Sequence, residues 1–311
     1  MSVLKAGITS IEIFGQNGEY LCVHGEGAGD RGVYLAEGQV AGIYDSPEKQ
    51  VWKSGSRQIG AKQRNRKILA RDMDLGFICK ETTTHSAEEN ESYLVQAIGF
   101  GLDEWDDDAR YARLRITTDM SGWRDLDIVQ YEEPDFSPKQ DPLMHQMLNP
   151  VLKLRSGNPD WYSDDVISSQ TWTDDGWKEV VVENPTPRPM LIKWVATQAS
   201  WTIPDFSWSG AKGARFPAGQ HSERYIACPE VLASDGGMVV DLDLQELMAR
   251  SANGTNMLAR FGGKFFKYPI PPYTQKQTLP VFCENVPESG AMIQMVQPRR
   301  WPRPWGLELR A

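Results

Sequence analysis

Residues 252–274, ANGTNMLARFGGKFFKYPIPPYT, carry the strongest structural signals in the chain. Asn253-Gly254 predicts a tight turn, because both residues tolerate a positive φ. Gly262-Gly263 predicts a second reversal, and the aromatic run after it, residues 264–268, is predicted to be a strand. Three prolines follow, and because proline lacks a backbone donor they end ladder pairing. The stretch is therefore typical of an antiparallel β protein, and it contains no catalytic motif.

The composition indicates a folded, acidic chain. Its 311 residues exceed the usual size of one small domain, so we expect two. Hydrophobic residues make up 40% and charged residues 24%, with both signs mixed, which is unlike a disordered chain. The net charge of −9 argues against sequence-independent binding to nucleic acid, because that affinity comes from neutralising phosphates. Lys and Arg are nevertheless dense between residues 57 and 71.

Cysteine spacing and hydropathy predict a protein made in a reducing cytoplasm. The four cysteines lie far apart and form no C-x-x-C pair, which argues against a zinc ribbon and for reduced thiols. They are Cys22, Cys79, Cys228 and Cys283. Residues 1–7 lack the apolar core of a signal peptide, and no run of 18 apolar residues occurs, so we expect no membrane partner.

One helix is predicted, over residues 86–102. Ser86 is a favourable N-cap, and Glu89 three residues later completes a capping box. Apolar residues recur on one face of this helix. They are Tyr93, Leu94, Ala97 and Ile98.

Most of the remaining sequence predicts strands. From residue 151 onward, short strands separated by turn residues are typical of a sandwich or barrel. A proline-rich connector precedes Asn149-Pro150, where we place the domain boundary. We therefore predict a mainly β chain, with a β-rich domain carrying one helix at residues 1–150 and a β-sandwich domain at residues 151–311.

Motifs for catalysis or metal binding are weak. Residues 27–32 match G-x-G-x-x-G, but a β-type run follows them where a dinucleotide site needs a helix. Residues 103–108 hold five acidic side chains without the bend glycine and final Glu of a calcium loop, which favours a solvated loop. The four histidines are scattered, and no G-x-S-x-G elbow is present. We therefore predict no cofactor, no metal site and no catalytic residue.

Segments in both halves are similar to one protein family. In the second half they are Asn184-Pro185 with Pro189 and Trp194, residues 201–208, 254–256 and 262–273, and the ending at 297–308; in the first half they are residues 32–35, 38–40 and 131–134. Over nearly its whole length the chain resembles a minor tail protein of long-tailed phages that infect actinobacteria, of the distal tail protein class.

The resemblance implies a structural protein of the virion tail tip and not an enzyme. It implies an N-terminal belt domain that assembles into a hexameric ring, and a galectin-like C-terminal β-sandwich that faces outward. The expected partners are further copies of the chain, the tail tube protein, and the tail hub, baseplate and fibre proteins. The family supplies no catalytic residues, and its sandwich fold does not transfer lectin activity.

Two sets of residues are candidates for the ring contact. One is the apolar helix face of Tyr93, Leu94, Ala97 and Ile98. The other is the basic set of Lys62, Arg64, Arg66 and Lys67, which is unusual in an acidic protein. The helix face has an alternative role, because most such stripes cover their own sheet.

Two other functions stay open at this point. The density of Trp and Tyr in residues 161–208 suggests a carbohydrate-binding module for host-surface glycans. Asp160, Asp164 and Asp165, beside Trp161 and Tyr162, suggest a glycan hydrolase with a pair of carboxylates.

Overall fold

The computed structural model describes residues 9–308, which form two compact units. The first unit extends to Tyr162 and also includes Pro302–Gly306, whereas the second runs from Ser163 to Trp301 and resumes at Leu307. Residues 1–7, in which no signal peptide was expected, lie outside the described range. The assignment of domain roles to residues 1–150 and 151–311 stays a prediction. Within residues 9–308, no helix has the length and apolar character to cross a membrane.

The first unit contains a single α-helix within the described range and a series of antiparallel strands. Its elements are β1 (Ser10–Phe14), β2 (Tyr20–His24), β3 (Val33–Ala41), β4 (Glu48–Lys53), β5 (Lys62–Ile68), β6 (Arg71–Lys80), α1 (Ala87–Ile98), β7 (Ala112–Thr118), β8 (Gly122–Asp135), β9 (Met147–Leu148) and β10 (Val151–Ser156).

The long strand β8 joins two groups of strands in this unit. Its first half, residues 122–128, pairs with β7, which continues to β1 and β2. Its second half, residues 129–135, pairs with β10, which continues to β6 and β3. Inward side chains from both groups, including Phe77, Leu114 and Leu154, form one buried core. A single 14-residue strand therefore serves both groups.

The helix α1 closes this core. The Ser86 hydroxyl accepts a hydrogen bond from Glu89 N at 3.2 Å, and the Glu89 carboxylate accepts one from Ser86 N at 2.8 Å. These bonds are the predicted capping box, and they lower the pKa of the Glu89 carboxyl. Gly99, with φ of 67°, ends the helix. Leu94, Ala97 and Ile98 are fully buried in the core.

The second unit contains the remaining strands. They are β11 (Trp161–Trp172, which begins in the first unit), β12 (Gly176–Asn184), β13 (Lys193–Ala196), β14 (Ser200–Pro204), β15 (Trp208–Ala211), β16 (Ala214–Pro217), β17 (Tyr225–Ala227), β18 (Met238–Asp241), β19 (Ala249–Ser251), β20 (Thr274–Glu284) and β21 (Ala291–Trp301). Two short 3₁₀ helices, Ala233–Asp235 and Leu258–Phe261, lie in its loops.

Two sheets with a shared apolar core build this unit. One sheet has the order β19-β18-β13-β21-β11, and the other has the order β12-β20-β14-β17. Trp194 and Trp172 of the first sheet and Trp201 and Val281 of the second belong to one buried cluster. The Trp172 and Trp201 rings meet edge to face with centroids 5.1 Å apart. The arrangement is a β-sandwich, so the predicted fold class, mainly β with a β-rich first part and a sandwich second part, is confirmed.

The stretch at residues 252–274 folds differently from the prediction. The turn at Asn253-Gly254 is present, with a bond from Gly254 N to Ser251 O of 3.0 Å. Residues 264–268, however, form no strand, and the apolar run before Gly262 contains a 3₁₀ helix. The amides of Lys267 and Tyr268 donate to the Asp205 carboxylate at 3.0–3.1 Å. Because that carboxylate takes the donors, no strand ladder forms there.

Replacing Leu94 by Ala should lower the free energy of unfolding by about 2–5 kcal/mol, because it opens a cavity under α1. Chemical denaturation followed by tryptophan fluorescence and by circular dichroism would measure the loss. The state of assembly of the folded fraction should not change, since the side chain is not accessible to a partner.

Gln96→Ala is the matched control, because Gln96 is exposed on the same helix. It should change stability by less than about 0.5 kcal/mol. If Leu94→Ala left stability unchanged and abolished association, the helix face would be an assembly contact.

Candidate functional site

Strands β4 and β5 form a ribbon that is separate from the core of the first unit. They pair antiparallel with each other, from Glu48 opposite Ile68 to Lys53 opposite Lys62. Every residue of both strands is exposed, so the ribbon has no buried face. An isolated two-stranded ribbon is marginally stable in water. The ribbon is therefore a surface whose stability depends on its attachment and on what covers it.

The ribbon carries all four basic candidates predicted from the sequence. Lys62, Arg64, Arg66 and Lys67 all lie on β5 and are exposed. Arg66 pairs with Glu48 of β4 at 3.4 Å, with both side chains partly in solvent. Large apolar side chains stand beside these charges: Trp52 is 56% exposed, and Val51 and Ile59 are exposed as well. The ribbon therefore combines positive charge with apolar area.

The helix face predicted as the other ring contact lies inside the first unit. Leu94, Ala97 and Ile98 pack in the core, and Tyr93 is partly buried against it. The Tyr93 hydroxyl accepts a hydrogen bond from Tyr20 N at 3.3 Å, and the Arg31 guanidinium lies 4.0 Å from its ring centroid. These side chains cover their own sheet, as in the alternative role, and a partner could not reach three of them in the folded unit.

The acidic loop at residues 103–108 is the other strongly charged surface of the first unit. All of its residues are exposed, and Trp105 in its middle is 96% exposed. Two carboxylates bond to the loop's own backbone: Asp103 accepts from Trp105 N and Asp106 accepts from Asp108 N, each at 2.9 Å. No cluster of potential metal ligands is found within residues 9–308. The loop is thus an accessible acidic surface with an exposed aromatic ring.

Two buried arginines fix the C-terminal strap, Pro302–Gly306, in the first unit. Arg124 donates to the carbonyl of Arg303 at 2.8 Å and to that of Gly306 at 2.9 Å. Arg71 donates to the carbonyl of Pro302 at 2.9 Å. At the surface of the strap, the Trp305 and Tyr44 rings lie 5.4 Å apart. The strap is therefore a fixed part of the first unit.

The residues of the enzymatic motifs considered from the sequence lie in turns and bends and on strand β11. Residues 27–32 make turns between β2 and β3, and no helix follows them. Asp160 accepts a hydrogen bond from the Ser46 hydroxyl at 2.7 Å. Asp164 and Asp165 are adjacent on β11, so their side chains point to opposite faces and cannot act together on one bond.

An aromatic platform lies on the outer face of the second unit, and the sequence argument did not single it out. Trp177 of β12 stands opposite Phe282 of β20, with ring centroids 5.0 Å apart, and its ring lies 5.3 Å from that of Tyr225. Trp177 is 55% exposed. Glu179 stands on the same face, two residues along the strand. The alternation of Trp177, Glu179 and Val181 with buried valines was the sequence signal for this outward face.

The four cysteines of the chain are free thiols with little access to solvent. Cys22, Cys79 and Cys283 are buried, and Cys228 is half-buried. Burial raises the pKa of the Cys79 and Cys283 thiols to about 12, so neither is a thiolate at neutral pH. They act as small apolar groups of the two cores.

Asp205 organises the loop that contains residues 264–268. Its buried carboxylate pairs with Arg224 at 2.9 Å, in addition to the two backbone amides of Lys267 and Tyr268. Arg224 in turn donates to the carbonyl of Phe265 at 2.7 Å. One charged pair thus replaces the ladder bonds that a strand would have made.

Asp205→Asn should lower the free energy of unfolding of the second unit by about 3 kcal/mol, because Arg224 loses its counter-charge and a backbone donor loses its acceptor. Denaturation monitored by tryptophan fluorescence would measure the loss, and limited proteolysis should show faster cleavage within residues 252–270.

Glu230→Gln, an exposed change in the same unit, should stay within about 0.5 kcal/mol of the parent. Equal denaturation midpoints for the parent and Asp205→Asn would contradict the role given to this carboxylate.

Comparison with known proteins gives relatives that align with this chain over nearly its whole length. No family model matches the chain. It is 26% identical to minor tail protein Gp27 of Mycobacterium phage D29 and 26% identical to minor tail protein Gp27 of Mycobacterium phage L5. Each alignment covers 96% of this chain and 99% of the relative. Among solved structures, the Dit (gp 19.1) protein of phage SPP1 superposes with a TM-score of 0.53 at 12% identity, over 93% of this chain and 98% of that one.

Proposed function

We propose that this chain, a homologue of phage minor tail proteins with the fold of a distal tail protein, assembles into a ring at the tip of the virion tail. Its relatives place it in the phage tail, as the sequence predicted. The finer proposal is a ring of six copies that joins the tail tube to the tail hub and fibres. The SPP1 protein is described as a paradigm of the hub adsorption apparatus in phages that infect Gram-positive bacteria.

The observation that carries this proposal is the completeness of the match. Each alignment covers nearly all of this chain and nearly all of the relative, and the likeness to the SPP1 fold also extends over nearly the whole chain. Both compact units are therefore part of what is shared. Because the relatives are tail proteins by name, we assign this chain a structural role and no catalytic one.

Within this proposal, the first unit is the belt that forms the ring, and the sandwich faces outward. The ring contact includes Lys62, Arg64, Arg66 and Lys67, because they lie on a ribbon with no buried face. Of the apolar helix face, Leu94, Ala97 and Ile98 are not part of the contact, because they are buried in the core of their own unit.

The purified chain should form a closed particle with the mass of six copies. Native mass spectrometry and sedimentation velocity would give the mass, and class averages from electron microscopy would give the symmetry. Because charged side chains lie in the proposed contact, high salt should shift the particle toward single copies.

A chain that stays monomeric at tens of micromolar, or that forms a closed particle of another symmetry, would contradict the hexamer. A two-fold dimer would contradict the ring itself, because it uses the same patch on both copies.

A second function, glycan binding, has one observation in its favour. The Trp177, Tyr225 and Phe282 rings form an exposed platform on the outer face of the sandwich, with the Glu179 carboxylate as a polar group beside it. Sites for small ligands combine aromatic area with a few polar groups in this way. This function is compatible with the ring, because the platform lies in the second unit and the ribbon lies in the first.

If the platform binds glycan, Trp177→Ala should weaken binding of the full chain to cell-wall polysaccharide from a susceptible host by about tenfold, since it removes the main stacking surface. Biolayer interferometry with immobilised polysaccharide would measure the change. Phe216→Ala, an exposed aromatic of the same unit that lies outside the platform, is the control and should bind like the parent. Absence of binding by the parent, or equal binding by Trp177→Ala, would remove this function.

A further inference from the structure

We propose that the ribbon formed by residues 48–68 of one copy docks on the acidic loop, residues 103–108, of a neighbouring copy. This inference rests on the proposed ring and names the two surfaces that form its contact. Both surfaces lie in the first unit, and each is exposed in the single chain.

Charge is divided unevenly between the ribbon and the rest of the molecule. Residues 48–68 contain seven basic side chains and one acidic one, which gives a net charge of +6. Since the whole chain carries −9, the rest of it carries −15. The acidic loop contributes five carboxylates and no basic group over six residues. The acidic loop of a second copy therefore has the charge opposite to that of the ribbon, and a second copy is a complementary partner for it.

Within one copy, the two surfaces do not neutralise each other. Among residues 9–308, no ion pair joins the ribbon to the loop. The ion pair shown inside the ribbon is Arg66 with Glu48, and the loop carboxylates of Asp103 and Asp106 bond to the loop's own amides. The opposite charges are thus available for contact between copies.

Apolar side chains accompany the charges on both surfaces. The ribbon exposes Trp52 and Ile59, and the acidic loop and the residues just before it expose Trp105 and Phe100. Aromatic side chains and arginine are enriched at protein interfaces, and a cation over an indole face adds further attraction. The contact would therefore bury hydrophobic area on both copies in addition to pairing their opposite charges.

Two different surfaces that meet in this way make a head-to-tail contact. Such a contact leaves one ribbon and one loop free on a pair of copies, so further copies add. A ring closes when the rotation between neighbouring copies divides a full turn evenly. Lysine-rich edge strands disfavour strand-to-strand pairing, so the ribbon should bind through its side chains. An interface of standard size takes about 20–30 residues from each side, and the ribbon supplies a large part of one side.

Charge reversal and its rescue test the pairing in the full-length protein. The ribbon variant is Lys49→Glu, Lys62→Glu, Arg64→Glu, Lys67→Glu, which leaves the Arg66 pair in place and changes the net charge of residues 48–68 from +6 to −2. The loop variant is Glu104→Lys, Asp107→Lys, Asp108→Lys, which leaves the two carboxylates that hold the loop turns and changes the net charge of residues 103–108 from −5 to +1. Each variant alone should raise the protein concentration needed for half-assembly at least tenfold, and the combined variant should restore assembly toward that of the parent. Sedimentation velocity at low and high salt would measure the concentration for half-assembly of each variant, and circular dichroism would check that each variant is folded.

The control variant reverses four exposed lysines elsewhere, Lys139→Glu, Lys212→Glu, Lys264→Glu and Lys276→Glu, with the same change in net charge as the ribbon variant. It should assemble like the parent.

Rings that persist in both single variants, or a combined variant that stays dissociated while folded, would overturn this pairing and leave the proposed ring intact. A ribbon variant that keeps the ring but loses binding to double-stranded DNA would assign the ribbon to nucleic acid and also overturn it. A monomeric parent would overturn the ring and the pairing together.

Discussion

The first unit depends on the buried guanidinium of Arg71. This side chain is inaccessible to solvent and donates to the carbonyls of Gly42, Pro159 and Pro302 at 2.8–2.9 Å. It also reaches the Ser46 hydroxyl at 3.2 Å. A buried charge is tolerated only when it is hydrogen-bonded, and the guanidinium offers five donors in a fixed fork. One residue can therefore hold together segments that are far apart in the sequence. Ser46 and Arg71 flank the ribbon along the chain, so the same network fixes the root of a ribbon that has no core of its own.

The sequence predicted the elements that depend on nearby residues. The capping box of Ser86 and Glu89 and the apolar stripe behind it specify α1, because all of their partners lie within a few turns of the helix. The short strands predicted from residue 151 onward, such as β12, likewise need only the period of a strand. The prediction failed for residues 264–268, whose aromatic pattern is that of a strand. Asp205, about sixty residues earlier in the chain, takes their amide donors, and no local pattern reveals such a competitor.

Of the candidate sites, too, the sequence predicted one part and only the fold revealed the other. The density of basic residues near Lys62 was visible in the sequence, and it marks the ribbon correctly as an exposed surface. The pairing of that segment with β4, and the absence of any buried face, became clear only from the fold. The apolar helix face carried an equally clear pattern, but it was ambiguous because a stripe looks the same whether it meets its own sheet or a partner. The platform of Trp177 and Tyr225 requires strands that are distant in sequence, so composition could suggest aromatics for this unit but could not place them.

The separation of charge in this chain suits the proposed ring, in which opposite charges meet between copies. Exposed ion pairs contribute little one by one, typically less than about 1 kcal/mol, and salt screens them. An encounter between two copies therefore gains orientation and rate from the opposed charges more than it gains affinity. In a closed ring each copy makes two such contacts, so releasing one copy breaks both at once, whereas an open chain loses an end copy by breaking one. Weak, charge-guided contacts are then reversible during assembly and cooperative after closure. In the proposed ring, that property follows from the placement of the basic surface on the ribbon and of the acidic surface on another part of the same unit, because no ion pair joins the two surfaces within one copy among residues 9–308.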